Sequence, residues 1–208
     1  MKNEFPASTI RWPSLALIAG GSLMIGLWLI FTNVHGPTSH NLDRPFLGQG
    51  MQFWGMLLGG PPNLLVAAAL LGLAPRLTQS APRHARVGLG LAVFGLGLAV
   101  ANALNLIGGI LNELTLTPVI GVGLLLLALG RTASPALPRA ALTALVVIGV
   151  LDLVAFFAWS LVPVKVSDAV GGYRLFGLLV HVGTGLGWVA SGLAWWPLPS
   201  AFSRPART

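Results

Sequence analysis

Long apolar runs separated by short polar segments dominate the pattern of this chain. A helix needs about 20 apolar residues to cross the roughly 30 Å hydrocarbon core of a bilayer. Six runs approach or exceed that length, and they cover residues 13–34, 51–74, 87–111, 114–130, 140–162 and 173–196. The pattern predicts an all-α fold, a polytopic integral membrane bundle of six transmembrane helices that forms a single membrane-embedded domain over residues 1–208.

The fourth run is the shortest, and its boundaries decide whether the third and fourth runs are separate spans. Thr117 followed by Pro118 is typical of an N-cap and a first helical residue, and the polar pair Asn112 and Glu113 suits a tight turn before it. These signals predict two spans rather than one long helix.

The composition supports a membrane protein and excludes several other classes. The 208 residues are 55% hydrophobic and 8% charged, and they include no Cys, whereas soluble domains carry about 25% charged residues. An ordinary soluble enzyme, a disordered tail and a disulfide scaffold are therefore excluded. The net charge of +7 does not indicate a nucleic-acid partner, because the Lys and Arg residues are scattered between apolar runs.

The distribution of basic residues predicts the orientation in the membrane. On six alternating spans, nine of the 12 Lys and Arg residues fall on one side and three on the other. The nine are Lys2, Arg11, Arg76, Arg83, Arg86, Arg131, Arg139, Arg204 and Arg207, and the three are Arg44, Lys165 and Arg174. Because cytoplasmic loops carry the excess of Lys and Arg, we expect a multi-pass protein of the plasma membrane with both termini in the cytoplasm.

Two ionisable residues lie deep within the predicted spans. Asp152 is almost at the midpoint of the fifth span, and His181 lies in the outer part of the sixth. Residues at equal depth in an antiparallel hairpin are equally far from its turn, so the two side chains are level if they face inward. A carboxylate beside an imidazole can share a proton, and each lowers the cost of placing the other in hydrocarbon. Alternatively, each residue only makes a structural interhelical hydrogen bond.

Two asparagines add polar groups to the third predicted span. Asn102 and Asn105 fall on one face at helical spacing. In a membrane helix they either make interhelical hydrogen bonds or line a polar cavity. The same turn arithmetic places Asn102 level with residue 58 of the second span.

The second span contains an interruption close to that level. Two consecutive prolines remove two amide donors and clash with the preceding turn, which predicts that the helix is kinked or broken there. The interrupted segment is Gly59, Gly60, Pro61 and Pro62. Interrupted spans are a pointer to binding sites in transporters, because freed backbone groups need a polar neighbour.

Two functional hypotheses follow from these features. The first is a membrane protein that binds or transports a small solute or protons through an outward-facing polar pocket. Its candidate ligand-binding or proton-handling residues are Asp152, His181, Asn102, Asn105, Gly60 and Pro61. The alternative is a non-catalytic bundle that acts as an accessory or assembly subunit of a larger membrane complex. Under both hypotheses the chain lies in the lipid bilayer. Its further expected partner is a small-molecule ligand, another membrane protein or a second copy of the chain.

Catalytic and cofactor chemistry has little support in the sequence. No nucleophile motif, phosphate loop or HExxH metal motif is present, so an enzyme is not the favoured hypothesis. His181 is the single His within the predicted spans, which leaves too few ligands for a bis-histidine haem. We therefore predict no metal and no cofactor.

Overall fold

The computed structural model describes residues 8–35, 45–107, 113–131, 137–161 and 172–196. Of these residues, 87% are helical and none belongs to a strand, which confirms the predicted all-α class for this part of the chain. Counting adjoining helices together, five helical stretches are long and apolar enough to cross a membrane by length and composition: Arg11–Val34, Met51–Thr78, Arg83–Ala103, Arg139–Ser160 and Arg174–Trp195. A sixth apolar helix is shorter, and its apolar part is Thr115–Leu129. The whole of this shorter helix is Glu113–Leu129, and its 17 residues extend over about 26 Å at 1.5 Å per residue.

The helices follow the predicted apolar runs with shifted ends. They are α1 Ser8–His35, α2 Met51–Gly59, α3 Pro61–Thr78, α4 Arg83–Ala103, α5 Glu113–Leu129, α6 Arg139–Leu161, α7 Gly172–Gly177, the π-helix Leu178–Gly183, and α8 Thr184–Trp195. The last three are continuous along the chain and together occupy the region of the sixth predicted span.

The long helices pack as a closed ring. Helix α1 contacts α3, and the contacts continue in chain order from α3 to α4, α5 and α6, after which α6 contacts α8 and α8 contacts α1. Close contacts fix the antiparallel direction of the α1–α8 pair, since Gly21 lies against Gly185 while Ser14 lies against Gly192. The α1–α3 and α4–α5 pairs are also antiparallel, since Gly20 lies against Val66 while Gly72 lies against Trp12, and Gly95 lies against Ile120 while Gly88 lies against Leu127.

One end of the ring is filled by apolar side chains. This end contains the start of α1, the end of α3, the start of α4, the end of α5 and the start of α6. Leu70, Leu73, Leu127 and Leu145 meet there, and each is at most 2% exposed. We call this packed region the leucine layer. It closes the end of the bundle at which α1 begins.

The second predicted span is divided into two helices. Gly60 separates α2 from α3 with a ψ of −83°, far from the helical value of about −42°. The prolines at positions 61 and 62 cannot donate the amide bonds that Leu57 and Leu58 would otherwise accept. The two helices meet at Gly60, and together they form one apolar stretch of 28 residues, Met51–Thr78.

The third predicted span extends to residue 111, whereas α4 ends at Ala103. Asn105 adopts a left-handed conformation with φ of 57°. The Leu106 amide then bonds to the Ala101 carbonyl, and the Asn105 amide to that of Asn102. This hydrogen-bond pattern is a Schellman motif with Asn at the left-handed position, and it terminates the helix. Asn105 therefore does not continue the helical face of Asn102.

The start of the fourth span also differs from the expectation. Helix α5 begins at Glu113, so that Thr117 and Pro118 lie inside the helix rather than at its N-cap and first position. A proline inside a helix costs one amide hydrogen bond, and a membrane helix tolerates it when neighbouring groups satisfy the freed carbonyl. The Thr–Pro pair therefore does not mark a helix end in this chain.

Candidate functional site

The end of the ring opposite the leucine layer contains two adjoining cavities. The large chamber has a volume of about 300 Å³ and lies between the end of α1, the start of α2, the end of α4 and the start of α5. The small chamber has a volume of about 40 Å³ and lies deeper in the bundle. Asn63, Ala99, Leu116 and His181 line both chambers, so the two chambers adjoin and share part of their wall.

The large chamber is mainly apolar and has three polar side chains in its wall. Trp28, Phe31 and Phe176 supply aromatic surface, together with aliphatic side chains from α2, α4 and α5. The polar side chains are Asn63, Asn102 and His181. A largely apolar cavity with a few convergent polar groups is the usual composition of a small-molecule site, and its volume is at the small end of the usual range.

The helix interruption contributes directly to this wall. Gly59 and Asn63 line the large chamber on either side of the prolines. The Asn63 side-chain amide donates a hydrogen bond of 2.8 Å to the Gly59 carbonyl. The side chain thus satisfies a backbone acceptor at the point where the helix is interrupted, where a free carbonyl in hydrocarbon would be costly.

His181 is held by a π-helix and by an aromatic ring of α1. It lies within the π-helix Leu178–Gly183 and is 4% exposed. Its imidazole stacks on the indole of Trp28, with ring centroids 4.8 Å apart and an angle of 24° between the planes. Single π-helical turns occur frequently at functional sites. Here the turn places a titratable side chain on the shared wall of the two chambers.

The π-helix also determines the hydrogen bond of Thr184. The Thr184 amide donates to the Leu179 carbonyl, five residues earlier, and to the His181 carbonyl, rather than to Val180 as in an α-helix. The Thr184 hydroxyl donates to the Val180 carbonyl instead. A hydroxyl has one proton and two acceptor lone pairs. Because the proton is directed to Val180, the Thr184 oxygen keeps acceptor capacity, and the residue lines the small chamber.

Asp152 lies at the depth of His181. Leu151 packs beside Gly183, and Ile148 packs beside Gly187, so Asp152 is level with a position one to two residues from His181, or roughly 1.5–3 Å along the axis. Asp152 is 4% exposed. It lines the small chamber together with His181, Thr117 and Thr184.

The structure brings together three of the six candidate site residues. Asn102, Asp152 and His181 border the joined chambers. Gly60 and Pro61 are not in the walls, although Gly59 and Asn63 beside them are. Asn105 is exposed in the turn after α4 and lines neither chamber.

Sequence reasoning missed Trp28, Asn63 and Thr184 as parts of the site. Trp28 lies in a continuous apolar run, where an aromatic residue gives no sign of its tertiary neighbour. Asn63 directly follows the two prolines, and an amide beside a predicted interruption is a signal that would have identified it. The role of Thr184 depends on the π-helix, for which the sequence has no evident signature.

Within the described ranges, no three His, Cys, Asp or Glu side chains come together as ligands for a metal ion. Comparisons with protein-family models, with curated proteins and with solved structures gave no match to this chain. The function is therefore inferred from the chambers and the residues that line them.

Proposed function

We propose that this chain is a membrane protein that binds a small, mainly apolar solute in the joined chambers. The observation that carries the proposal is the position of Asn102, Asp152 and His181, which are costly in hydrocarbon and all border one cavity system. Purely structural staples would not need to share a cavity. The apolar wall would hold the body of the solute, and the few polar groups would fix its orientation.

The solute reaches the site from outside the cell in this proposal. The large chamber lies where α1 ends and α2 begins, at the end of the bundle opposite the start of α1. The excess of Lys and Arg on the side of the chain termini favours a cytoplasmic location for the end at which α1 begins, so the chamber end faces the outside of the cell. In this proposal the membrane is the plasma membrane. The second span bends at Gly60, and the bend makes space for the large chamber.

The leucine layer separates the chambers from the cytoplasmic end. Leu70, Leu73, Leu127 and Leu145 fill that half of the ring. Passage of a solute through the bundle would require these side chains to separate, whereas binding requires no such change. Binding from the outer side is therefore the primary activity, and transport would be a second step in which the ring opens.

The proposal is tested by filling the large chamber. Ala99 lines both chambers from α4, so Ala99→Phe would occupy volume that the solute needs. Ala19 is exposed on α1 and lines neither chamber, so Ala19→Phe is the matched control. Isothermal titration calorimetry of protein in nanodiscs would measure the binding of 2-phenylethanol, a neutral probe with one ring and one hydroxyl.

The unchanged chain and Ala19→Phe should bind the probe saturably. Ala99→Phe should bind it with an affinity lower by about tenfold or more, because the probe and the added ring would compete for the same space. Equal affinity in all three proteins would place the probe outside the chambers. Absence of saturable binding of this probe and of its charged analogues would overturn the proposal.

A second candidate function is that of an assembly subunit. Gly90 and Gly97 are exposed on α4, and an added side-chain carbon would meet no atom within 4 Å at either position. Small residues on an outer helix face let another membrane helix approach closely. Purification in a mild detergent would recover a stoichiometric partner under this alternative, and Gly90→Leu would weaken its association.

A further inference from the structure

The charged groups in the walls restrict the class of solute. Among the described residues that line the two chambers, Asp152 and His181 are the titratable ones, and neither Lys nor Arg is present. An anionic solute would therefore meet a carboxylate and no permanently charged basic side chain. A cationic solute would meet an opposite charge, which lowers the cost of placing both charges in a site of low dielectric.

The aromatic surface also favours a cation. Trp28, Phe31 and Phe176 line the large chamber, and the faces of aromatic rings attract ammonium groups, with Trp the strongest. The Trp28 indole is held in place by its stacking on His181. A cation in the large chamber would therefore have a favourable environment before its charged group reaches Asp152.

The hydrogen-bonding groups of the small chamber favour a donor. The Thr184 hydroxyl proton is directed to the Val180 carbonyl, so the oxygen can accept a hydrogen bond from a ligand. The Asp152 carboxylate accepts hydrogen bonds as well, and both residues line this chamber. An ammonium group donates up to three hydrogen bonds and accepts none.

The sizes of the chambers match a molecule with a small head and a larger body. The small chamber, at about 40 Å³, exceeds the 10–15 Å³ or so that one water molecule requires, so it has room for an ammonium group. The large chamber, at about 300 Å³, has room for an apolar body such as a single ring. His181 lies in the walls of both chambers.

We infer that the solute is a small organic amine bound as its ammonium ion. Its head lies at Asp152 and Thr184 in the small chamber, and its apolar body lies against Trp28 and the neighbouring aromatic rings in the large chamber. This inference rests on the proposed function and names the chemical class of the solute for the same site.

Three probes of nearly equal size separate charge from shape. They are 2-phenylethylamine, 2-phenylethanol and phenylacetate, each measured by titration calorimetry in nanodiscs at neutral pH. Since hydrogen bonds to charged groups are stronger than neutral ones, we expect the amine to bind about tenfold more tightly than the alcohol. The carboxylate probe should bind more weakly than the alcohol.

Variants of the small chamber test which residues recognise the ammonium group. Asp152→Asn keeps the shape but removes the negative charge, and it should lower the affinity for the amine to about that for the alcohol, a loss of about tenfold. The affinity for the alcohol should change little. Thermal unfolding and size-exclusion chromatography would verify that the variant is folded.

Thr184 provides an independent variant if Asp152→Asn does not fold. Thr184→Val removes the acceptor oxygen and should lower the binding affinity for the amine more than that for the alcohol. Thr184→Ser retains a hydroxyl and should preserve the tighter binding of the amine. Binding of the alcohol as tightly as the amine in the unchanged chain would overturn the inference and leave the proposed function standing. Failure of all three probes to bind would overturn both.

Discussion

The packing of α4 against α5 gives the sharpest prediction about the stability of the bundle. This pair forms the most extensive contact between described helices. A side-chain carbon added at Gly88 would lie 2.5 Å from the Gly123 carbonyl oxygen and 2.6 Å from the Leu127 amide nitrogen. Both are backbone atoms, which cannot rotate away. The variant Gly88→Ala therefore requires a shift of one helix relative to the other.

The size of that shift sets the expected loss of stability. Real side-chain carbons essentially never approach other atoms closer than 3.0 Å, so α4 and α5 must separate by at least about 0.5 Å. A gap of that size removes roughly a quarter of the dispersion energy of the atoms that it separates. Overpacking of this kind costs about 1–3 kcal/mol.

A control in the same helix separates packing from helix propensity. Replacing Gly by Ala inside a helix contributes about 1 kcal/mol of stability by propensity alone. Gly90 is exposed, and an added carbon there would meet no atom within 4 Å, so Gly90→Ala should show that gain without a packing cost. The free energy of unfolding should therefore be about 1–3 kcal/mol lower for Gly88→Ala than for Gly90→Ala. Reversible unfolding in mixed detergent micelles would measure this difference. Equal free energies of unfolding for the two variants would show that the backbones of α4 and α5 are not in contact at Gly88.

Three further predictions concern other parts of the chain. Arg131→Met should lower the free energy of unfolding by about 2 kcal/mol, because the buried guanidinium donates hydrogen bonds to the carbonyls of Gln79 and Arg76; Arg139→Met is the exposed control. Gly177→Ala should weaken 2-phenylethanol binding severalfold in calorimetry, because the added carbon would overlap the Trp28 indole and displace it from His181. A Cys added at either terminus of this Cys-free chain should react with an impermeant maleimide only after cells are opened, whereas labelling of intact cells would reverse the proposed orientation.

The sequence predicts the helical class and the level of the polar residues for simple physical reasons. Apolar runs of this length are stable in a bilayer as helices, because helices satisfy their own backbone groups. Antiparallel neighbours joined by short turns have a register that follows from counting residues. That register places Asp152 near His181, and it places Asn102 close to Leu58, with which it lines the large chamber.

The features that the sequence did not predict depend on backbone detail or on tertiary contacts. The end of α4 depends on the left-handed conformation of Asn105. Asn favours that position at helix ends, but the apolar residues that follow it predict that the helix continues. The contact of Trp28 with His181 requires α1 to lie beside α8, and hydropathy does not predict which helices become neighbours when the bundle closes. The π-helix changes the directions in which the side chains of the last span face around the helix axis, and the hydropathy of the span does not reveal this change.

Closure of the ring has a consequence for biosynthesis. Helix α1 is the earliest described helix to be synthesised, and one of its two main partners in the ring, α8, is the last. During translation one flank of α1 therefore faces lipid or the insertion machinery until α8 arrives, with Gly21 at that seam. Co-translational assembly can proceed from α1 to α6, but the binding chambers acquire His181 only when the last segment enters the bilayer. A ribosome stalled before α8 would hold an open arc of helices that has no complete site for a solute.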